Sequence, residues 1–137
     1  DTVGTMYHLF LAVHRLDKDK VVNAMVQGAG KTVVFCDTKR LCDRVADKLD
    51  ELGAKVAAIH GDLTQAAREK ALARFTRGEL TILVATDVAA RGIDIDDIAL
   101  VVHYEPPMDP KTYLHRSGRT ARAGRGLLEV FMPNSAS

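Results

Sequence analysis

Three short runs of consecutive apolar residues constrain the fold of this chain more than any other feature of its sequence. They cover residues 33–36, 82–85 and 100–103, the last of which ends in His103. Unbroken apolar runs of this length are typical of strands buried on both faces, whereas a half-exposed strand alternates apolar and polar residues. A sheet covered on both faces needs helices on both sides, and parallel strands need helical crossovers. The runs therefore predict an α/β domain with a mostly parallel central sheet flanked by helices.

The segments between these runs supply the helices that such a fold requires. Apolar residues at a helical spacing predict a helix over 38–52, with Thr38 as its N-cap and Gly53 as its stop, and another over 65–75. The remaining expected elements are strands over 6–13, 56–59 and 127–132, a helical stretch before Gly28 and a short helix over 110–116. We expect the tail, 133–137, to fray.

Length and composition indicate one ordinary globular domain that spans residues 1–137. The chain is 47% hydrophobic and 27% charged, and no apolar stretch approaches the length of a membrane span. Its first residues lack the basic segment of a signal peptide, and it begins without Met, so we expect a piece of a longer protein. Cys36 and Cys42 lack metal-ligand spacing and fit buried thiols in a reducing compartment, so we expect a cytoplasmic protein. Because no long apolar stretch is present, we expect no membrane partner.

Charge is distributed unevenly along the chain. The net charge is only +1, less than a dedicated nucleic-acid module usually carries, yet residues 111–125 hold five Lys or Arg and no acid. Within them, 115–125 contains four Arg, one His and two Gly. Arginine presents a fork of donors that matches phosphate oxygens, and glycine lets the backbone approach closely. The run predicts a phosphate site of the kind that stabilises a transferring phosphoryl group, although a loosely binding or solubilising loop is the alternative.

Residues able to bind phosphate also follow the predicted strands, where ligands bind in parallel α/β sheets. Thr38 and the helical amides after it suit a phosphate, or form a simple cap. In the next such loop Gly61 allows close backbone approach and Arg68 can clamp a phosphate, although a turn with a helix cap explains both. His60, taken singly, is more often structural than catalytic. All of these residues would lie at one edge of the sheet.

The loop over residues 85–94 is harder to explain by packing alone. A strand that ends in Thr-Asp is followed by a turn of small residues and then by Arg-Gly-x-Asp. Thr86 can donate to a phosphate, and Asp94 can accept hydrogen bonds from ribose hydroxyls. This loop is the second strong indication of a nucleotide or nucleic-acid site.

Residues 28–32 resemble the end of a phosphate-binding Walker A loop but do not complete one. That loop needs a glycine five positions before Gly30, where this chain has Met25. It should also follow a strand and open a helix, whereas here it follows a helical stretch and opens a strand. We interpret the segment as a turn that contains a helix stop.

Taken in order, these motifs resemble those of the DEAD-box RNA helicases. Residues 115–125 resemble the family's last motif, with Ser117 in place of Ile and Ala121 in place of Gly. Residues 85–94 resemble its fifth motif, 60–68 its His-Gly-Asp turn and following Gln-x-x-Arg, and 104–107 its Tyr-Asp-x-Pro element. The chain is thus identified as resembling the C-terminal RecA-like lobe of such a helicase.

This resemblance implies a three-layer RecA-like fold and an ATP-dependent RNA helicase as the parent protein. It implies arginine fingers at Arg119 and Arg122, which also contact the nucleotide together with Gly92 and Asp94. His115 and Arg116 would couple the lobes. The residues implied to grip the RNA backbone are Thr38, Gly61, Gln65, Arg68 and Thr86.

The resemblance also implies partners that this chain lacks. The Walker A loop, the Asp-Glu-Ala-Asp box and the Mg²⁺ ligands for ATP belong to the N-terminal RecA-like lobe, so no metal ligand is expected here. We therefore expect the isolated lobe to be inactive alone and to bind ATP and RNA weakly. Two alternatives remain: a non-catalytic RNA-binding or partner-docking module, and a lobe of a DNA helicase or translocase.

One residue departs from the expected pattern of the last strand. Glu129 stands within an otherwise apolar stretch that continues through Val130 and Phe131. An acid in such a place points outward, meets a basic partner, or marks the edge of the sheet.

Overall fold

The computed structural model describes residues 6–91, 93, 97–106 and 127–135. Their strands form one six-stranded sheet in the order β1-β6-β5-β2-β4-β3. Every strand pair in it is parallel, which confirms the predicted sheet. In chain order the elements are β1 (Met6–Phe10), α1 (Lys18–Ala29), β2 (Thr32–Cys36), α2 (Lys39–Glu51), β3 (Val56–Ile59), α3 (Gln65–Thr76), β4 (Ile82–Thr86), α4 (Asp87–Ala90), β5 (Leu100–His103) and β6 (Leu127–Phe131).

The central strands are buried on both faces, as their unbroken apolar runs predict. Along β2, Val34 faces the apolar cluster built by α1 and α2, while Val33 and Phe35 face the cluster built by α3. Phe75 of α3 is fully buried in the second cluster. Helices thus cover the sheet on both sides, and the three-layer prediction is confirmed.

Glycine and threonine set the helix ends near the positions that the sequence indicates. Thr38 caps α2, and Gly53 follows its end with a φ of 95°. Gly30 ends α1 with a φ of 107°, and its amide donates to the Val26 carbonyl over 3.1 Å. Because β2 begins only two residues later, the segment that resembles a Walker A loop is a helix stop followed by a strand.

Two expectations for the ends of the domain were wrong. The first strand ends at Phe10 rather than at residue 13, and Val13 instead forms an isolated parallel bridge with Asn134. The described part of the tail is therefore ordered: the Val13 amide donates to the Pro133 carbonyl over 3.0 Å, and the Ser135 amide to the Val13 carbonyl over 3.1 Å. These hydrogen bonds extend the β1–β6 pairing beyond both strands.

Glu129 is buried in the interior of the sheet. Strand β6 lies between β1 and β5, so the residue neither marks an edge nor points outward, and it has no solvent exposure. Its Oε2 lies 2.6 Å from Nε2 of His103, and its Oε1 lies 3.2 Å from Nε2 of His8. Of the three expectations for this acid, the basic partner is the one confirmed.

Several other expectations can be compared with the described residues. Cys36 and Cys42 are buried free thiols. Within the described ranges, no helix is long and apolar enough to cross a membrane. The helix predicted over 110–116 and the arginine-rich run lie outside the described residues.

Candidate nucleic-acid interface

The carboxyl ends of β2, β4 and β3 lie side by side, and the loops that follow them meet there. Strand β4 pairs with both of the others, and the register aligns Cys36 with Thr86 and Ile59 with Ala85. The three strands therefore end at nearly the same level. Thr38 and Gly61 each follow two residues after such a strand end, so the topology places them beside Thr86.

The first of these loops leads into α2 through Thr38. Its side-chain oxygen accepts a hydrogen bond from the Leu41 amide over 3.1 Å, and the residue is exposed. A hydroxyl that accepts in a cap still has its own proton to donate. Thr38 therefore presents a hydroxyl donor at the positive end of a helix, where anions are favoured.

His60 fixes the second loop, and its contacts indicate a structural role. The ring is buried, with Nε2 2.8 Å from Asp43 Oδ1, while Nδ1 lies 3.3 Å from the Asp62 amide nitrogen. Because a backbone amide can only donate, Nδ1 is the acceptor of that hydrogen bond. Nε2 therefore carries the ring proton and donates it in a hydrogen bond to Asp43 Oδ1. His60 thereby ties the loop to α2, and Gly61 is left exposed at the turn.

An ion pair links the same two loops closer to solvent. Lys39 Nζ donates to Asp62 Oδ1 over 2.9 Å, between two exposed side chains. The hydrogen bond and the charge of Lys39 lower the pKa of the Asp62 carboxyl below its ordinary value. The acid is therefore ionised at neutral pH and partly neutralises the basic end of α2.

Arg68 connects the second loop region to the third. Its Nη2 donates to the Ala89 carbonyl over 3.0 Å, and Thr86 Oγ1 accepts from the Ala89 amide over 3.3 Å. The segment after β4 forms the short helix α4, where the sequence indicated only a turn. A guanidinium has five donors, so the Ala89 contact leaves Arg68 able to bind a phosphate as well.

The five residues predicted to contact RNA lie at this edge. The side chain of Gln65 is engaged within α3, because its Nε2 donates to Glu69 Oε2 over 3.1 Å. Sequence analysis missed Lys39 and Asp43, which hold the loops together; the position of Lys39 beside Thr38 was the available signal.

Among the described residues, no group of three or more His, Cys, Asp or Glu side chains could hold a metal ion. The predicted residues outside the described ranges are Gly92, Asp94, His115, Arg116, Arg119 and Arg122.

Comparison with known proteins identifies the family. The helicase conserved C-terminal domain matches residues 17–124, which is most of the chain. This chain belongs to that family. Several relatives and structural neighbours are named as DEAD-box proteins, which confirms the resemblance drawn from the motifs.

Three of these proteins show the extent of the likeness. The ATP-dependent RNA helicase DbpA of Escherichia coli is 51% identical over 98 residues, which cover 72% of this chain but 21% of DbpA. The structure of E. coli DEAD-box protein SrmB bound to regulator of ribonuclease activity A has a TM-score of 0.82 at 34% identity, covering 98% of this chain and 79% of the matched chain in that structure. The structure of S. cerevisiae Dbp5 bound to RNA and ADP BeF3 has a TM-score of 0.79 at 31% identity, covering 98% of this chain and 36% of the matched chain in that structure.

Proposed function

We propose that this chain, over residues 1–137, is the C-terminal lobe of a two-lobed ATP-dependent RNA helicase, and that its loops grip the RNA backbone. The observation that carries the proposal is the edge formed by the carboxyl ends of β2, β4 and β3. Thr38, Gly61 and Thr86 meet there because the three strands end level with one another.

RNA binding at this edge needs donors that match phosphate oxygens, and the edge supplies three kinds. The hydroxyls of Thr38 and Thr86 cap helices and keep a proton to donate. Arg68 offers guanidinium donors, and Gly61 is exposed where a sugar–phosphate chain can approach the backbone. Contacts of this kind position a strand without reading its bases, so the binding is largely independent of sequence.

The nucleotide half of the proposal rests on the arginine-rich run and on residues 92–94. Gly92 and Asp94 would hold the nucleotide, and Arg119 and Arg122 would act as arginine fingers that stabilise charge on the γ-phosphate. Arginine fingers of this kind raise the rate of phosphoryl transfer by about 10³–10⁵-fold. The nucleotide would bind as ATP with Mg²⁺, whose ligands we assign to the N-terminal lobe.

Binding of ATP and RNA would be coupled through closure of the two lobes. His115 and Arg116 would lie between the ATP site and the RNA site and link them. Each ligand would then raise the affinity for the other, as reciprocity requires. We infer weak binding of both ligands to the isolated lobe, and a cytoplasmic parent protein.

The relatives favour RNA over DNA as the substrate of the parent. DbpA is named an ATP-dependent RNA helicase, and Dbp5 was solved with RNA and ADP BeF3. Because the chain spans 21% of the length of DbpA, the activity belongs to a longer polypeptide in our proposal.

Two arginines near opposite ends of α3 provide a direct test: Arg68 lies within the helix, and Arg77 is the residue that follows its last one. Arg68 lies at the carboxyl edge of the sheet, while Arg77 lies at the other end of the helix and contacts Glu79 over 2.7 Å. We expect Arg68→Ala to weaken binding of an oligouridylate to this chain several-fold and to reduce its salt slope by about 0.7, the contribution of one phosphate contact. Arg77→Ala should leave both nearly unchanged.

The measurement is a series of fluorescence-anisotropy titrations at several salt concentrations. Equal effects of the two substitutions would show that only net charge matters, and the proposed edge would then not be the binding site. Circular dichroism of each variant checks that the helices remain folded.

A further inference from the structure

A polar cavity lies at the carboxyl end of the sheet, on the side of α1 and α2, apart from the edge formed by β2, β4 and β3. It measures about 270 Å³ and opens among the turn before α1, the start of α1, the side of α2 and the chain that follows β5 and β6. Its polar lining residues are Arg15, Lys18, Arg44, Tyr104, Glu105 and Asn134. Parallel sheets bind ligands at this end of their strands. Tyr104 and Glu105 belong to the segment that resembles the Tyr-Asp-x-Pro element, but no ligand is assigned to that segment or to the other lining residues.

The charge of the cavity favours an anion. Three basic side chains line it against one acid, Glu105. A second acid, Asp19, lies behind the lining, where its Oδ1 accepts the Tyr104 hydroxyl over 2.7 Å. Asp19 Oδ2 is 3.8 Å from Arg44 Nη1, which is beyond hydrogen-bond distance. The Arg44 guanidinium hydrogen-bonds to the side chain of Tyr104. Because a guanidinium has five donors, others remain available to a ligand.

Lys18 is the strongest indication of a ligand. The residue is 1% exposed, and its Nζ donates to the Tyr104 carbonyl over 2.6 Å. Among the described residues, the Tyr104 carbonyl is the hydrogen-bond acceptor found for Lys18 Nζ. An ammonium group has three N–H donors, so it can bind further acceptors. Burial lowers the pKa of Lys18, because a buried cation loses hydration, and the nearby acids Glu105 and Asp19 offset only part of this effect. An anion in the cavity would supply the missing acceptors and stabilise the charge.

The position of Arg44 connects this cavity to the proposed RNA path. Thr38 caps α2, Arg40 is exposed in the first turn, and Arg44 follows four residues later. Residues at this spacing lie on one face of a helix, about 5–6 Å apart at their Cβ atoms. A strand that leaves Thr38 along this face therefore reaches the cavity after Arg40.

We propose that the cavity binds a phosphate group of the RNA strand beyond the nucleotides held at the Thr38–Thr86 edge. This inference rests on the proposed function and extends its footprint. The cavity is slightly smaller than the roughly 300–1,000 Å³ of pockets for drug-sized ligands, which suits a single sugar–phosphate unit. Arg15 and Arg44 bind the phosphate oxygens from the exposed side, and Lys18 binds them from the buried side.

The test follows backbone amide signals of the ¹⁵N-labelled 137-residue chain by NMR, which detects weak binding. The probes are oligouridylates of stepwise increasing length and, separately, inorganic phosphate. We expect short oligomers to shift signals at Thr38 and Gly61, and longer ones to shift Arg15, Lys18 and Arg44 as well, with several-fold higher affinity.

Two substitutions on α2 separate the cavity from general charge. Arg44→Ala should abolish the gain in affinity with length and lower the salt slope for the long oligomer by about 0.7. Lys48 lies one turn further along α2, with its Nζ 3.8 Å from Glu51 Oε1, and provides the matched control. Lys48→Ala should retain the gain in affinity with oligomer length. Arg15→Ala should lose part of that gain while leaving the contact between Arg44 and Asp19 unchanged.

Each contrary result has a distinct meaning. Shifts at Thr38 that never extend to the cavity would overturn this inference alone. A cavity that responds to inorganic phosphate but not to longer RNA would be a site for a small free anion, which also overturns it. If no oligomer shifts any signal at either place, the proposed RNA-binding function itself fails.

Discussion

Replacing Glu129 with leucine should strongly destabilise the domain. The carboxylate has no solvent exposure, and it contacts His103 at 2.6 Å and His8 at 3.2 Å. His103 is equally buried, and its ring stacks on Phe35 and Phe131 with centroid distances of 5.4 and 4.4 Å. Leucine would therefore leave a buried imidazole without its carboxylate, in a place that water does not reach.

Removal of one partner from a buried hydrogen bond, which leaves the other group unsatisfied, typically costs about 1–3 kcal/mol. The entropy of unfolding, about 2.1 cal/mol/K per residue, gives about 0.29 kcal/mol/K for a chain of 137 residues. The expected fall in Tm is thus about 3–10 °C. Glu129→Gln, which keeps a hydrogen-bonding group beside His103, should cost less.

Urea denaturation of four proteins measures the coupling: the original chain, Glu129→Leu, His103→Phe and the double variant. Replacement of both partners by apolar residues is often close to neutral, so the double variant should recover most of the stability lost in Glu129→Leu. If Glu129→Leu loses less than about 1 kcal/mol, or if the two substitutions are additive, the buried pair does not stabilise the sheet as argued.

Two further predictions concern other parts of the fold. Burial and the bond to Asp19 raise the pKa of Tyr104 above its ordinary value of 10.0, so its contribution to stability is complete below about pH 10 and declines as pH rises further. The difference in unfolding free energy between the original chain and Tyr104→Phe should therefore shrink above that pH, and a constant difference would contradict the assignment. Gly30→Ala should cost about 1–3 kcal/mol because Gly30 has a φ of 107°, whereas Gly28→Ala within α1 should stabilise by about 0.4–1 kcal/mol, both measured by urea denaturation. Equal effects would contradict the helix stop.

The sequence predicted those parts of the fold that follow from local pattern. Continuous apolar runs identified β2, β4 and β5, because strands buried on both faces cannot alternate. The ends of α2 followed from Thr38 and Gly53, whose preferences are set by cap geometry. Motif order placed Thr38, Gly61 and Thr86 at strand ends, and the register then brought them together.

What depends on sheet order could not be predicted in the same way. Glu129 gave no sign that β6 lies between β1 and β5, since its partners His8 and His103 are remote in sequence. The tail was expected to fray because it lacks apolar residues apart from Ala136, yet its hydrogen bonds to Val13 are backbone bonds that composition does not reveal. The Arg15–Lys18–Arg44 cavity likewise arises from segments that no single motif contains.

RNA-stimulated ATP hydrolysis by the proposed two-lobed polypeptide, with and without Arg122→Ala, tests the central claim most directly. We predict that RNA accelerates hydrolysis and that the substitution removes most of the stimulated rate, by about 10³-fold or more, as expected for an arginine finger. Hydrolysis that does not depend on RNA, or that survives the substitution, would contradict the account and favour a non-catalytic RNA-binding lobe.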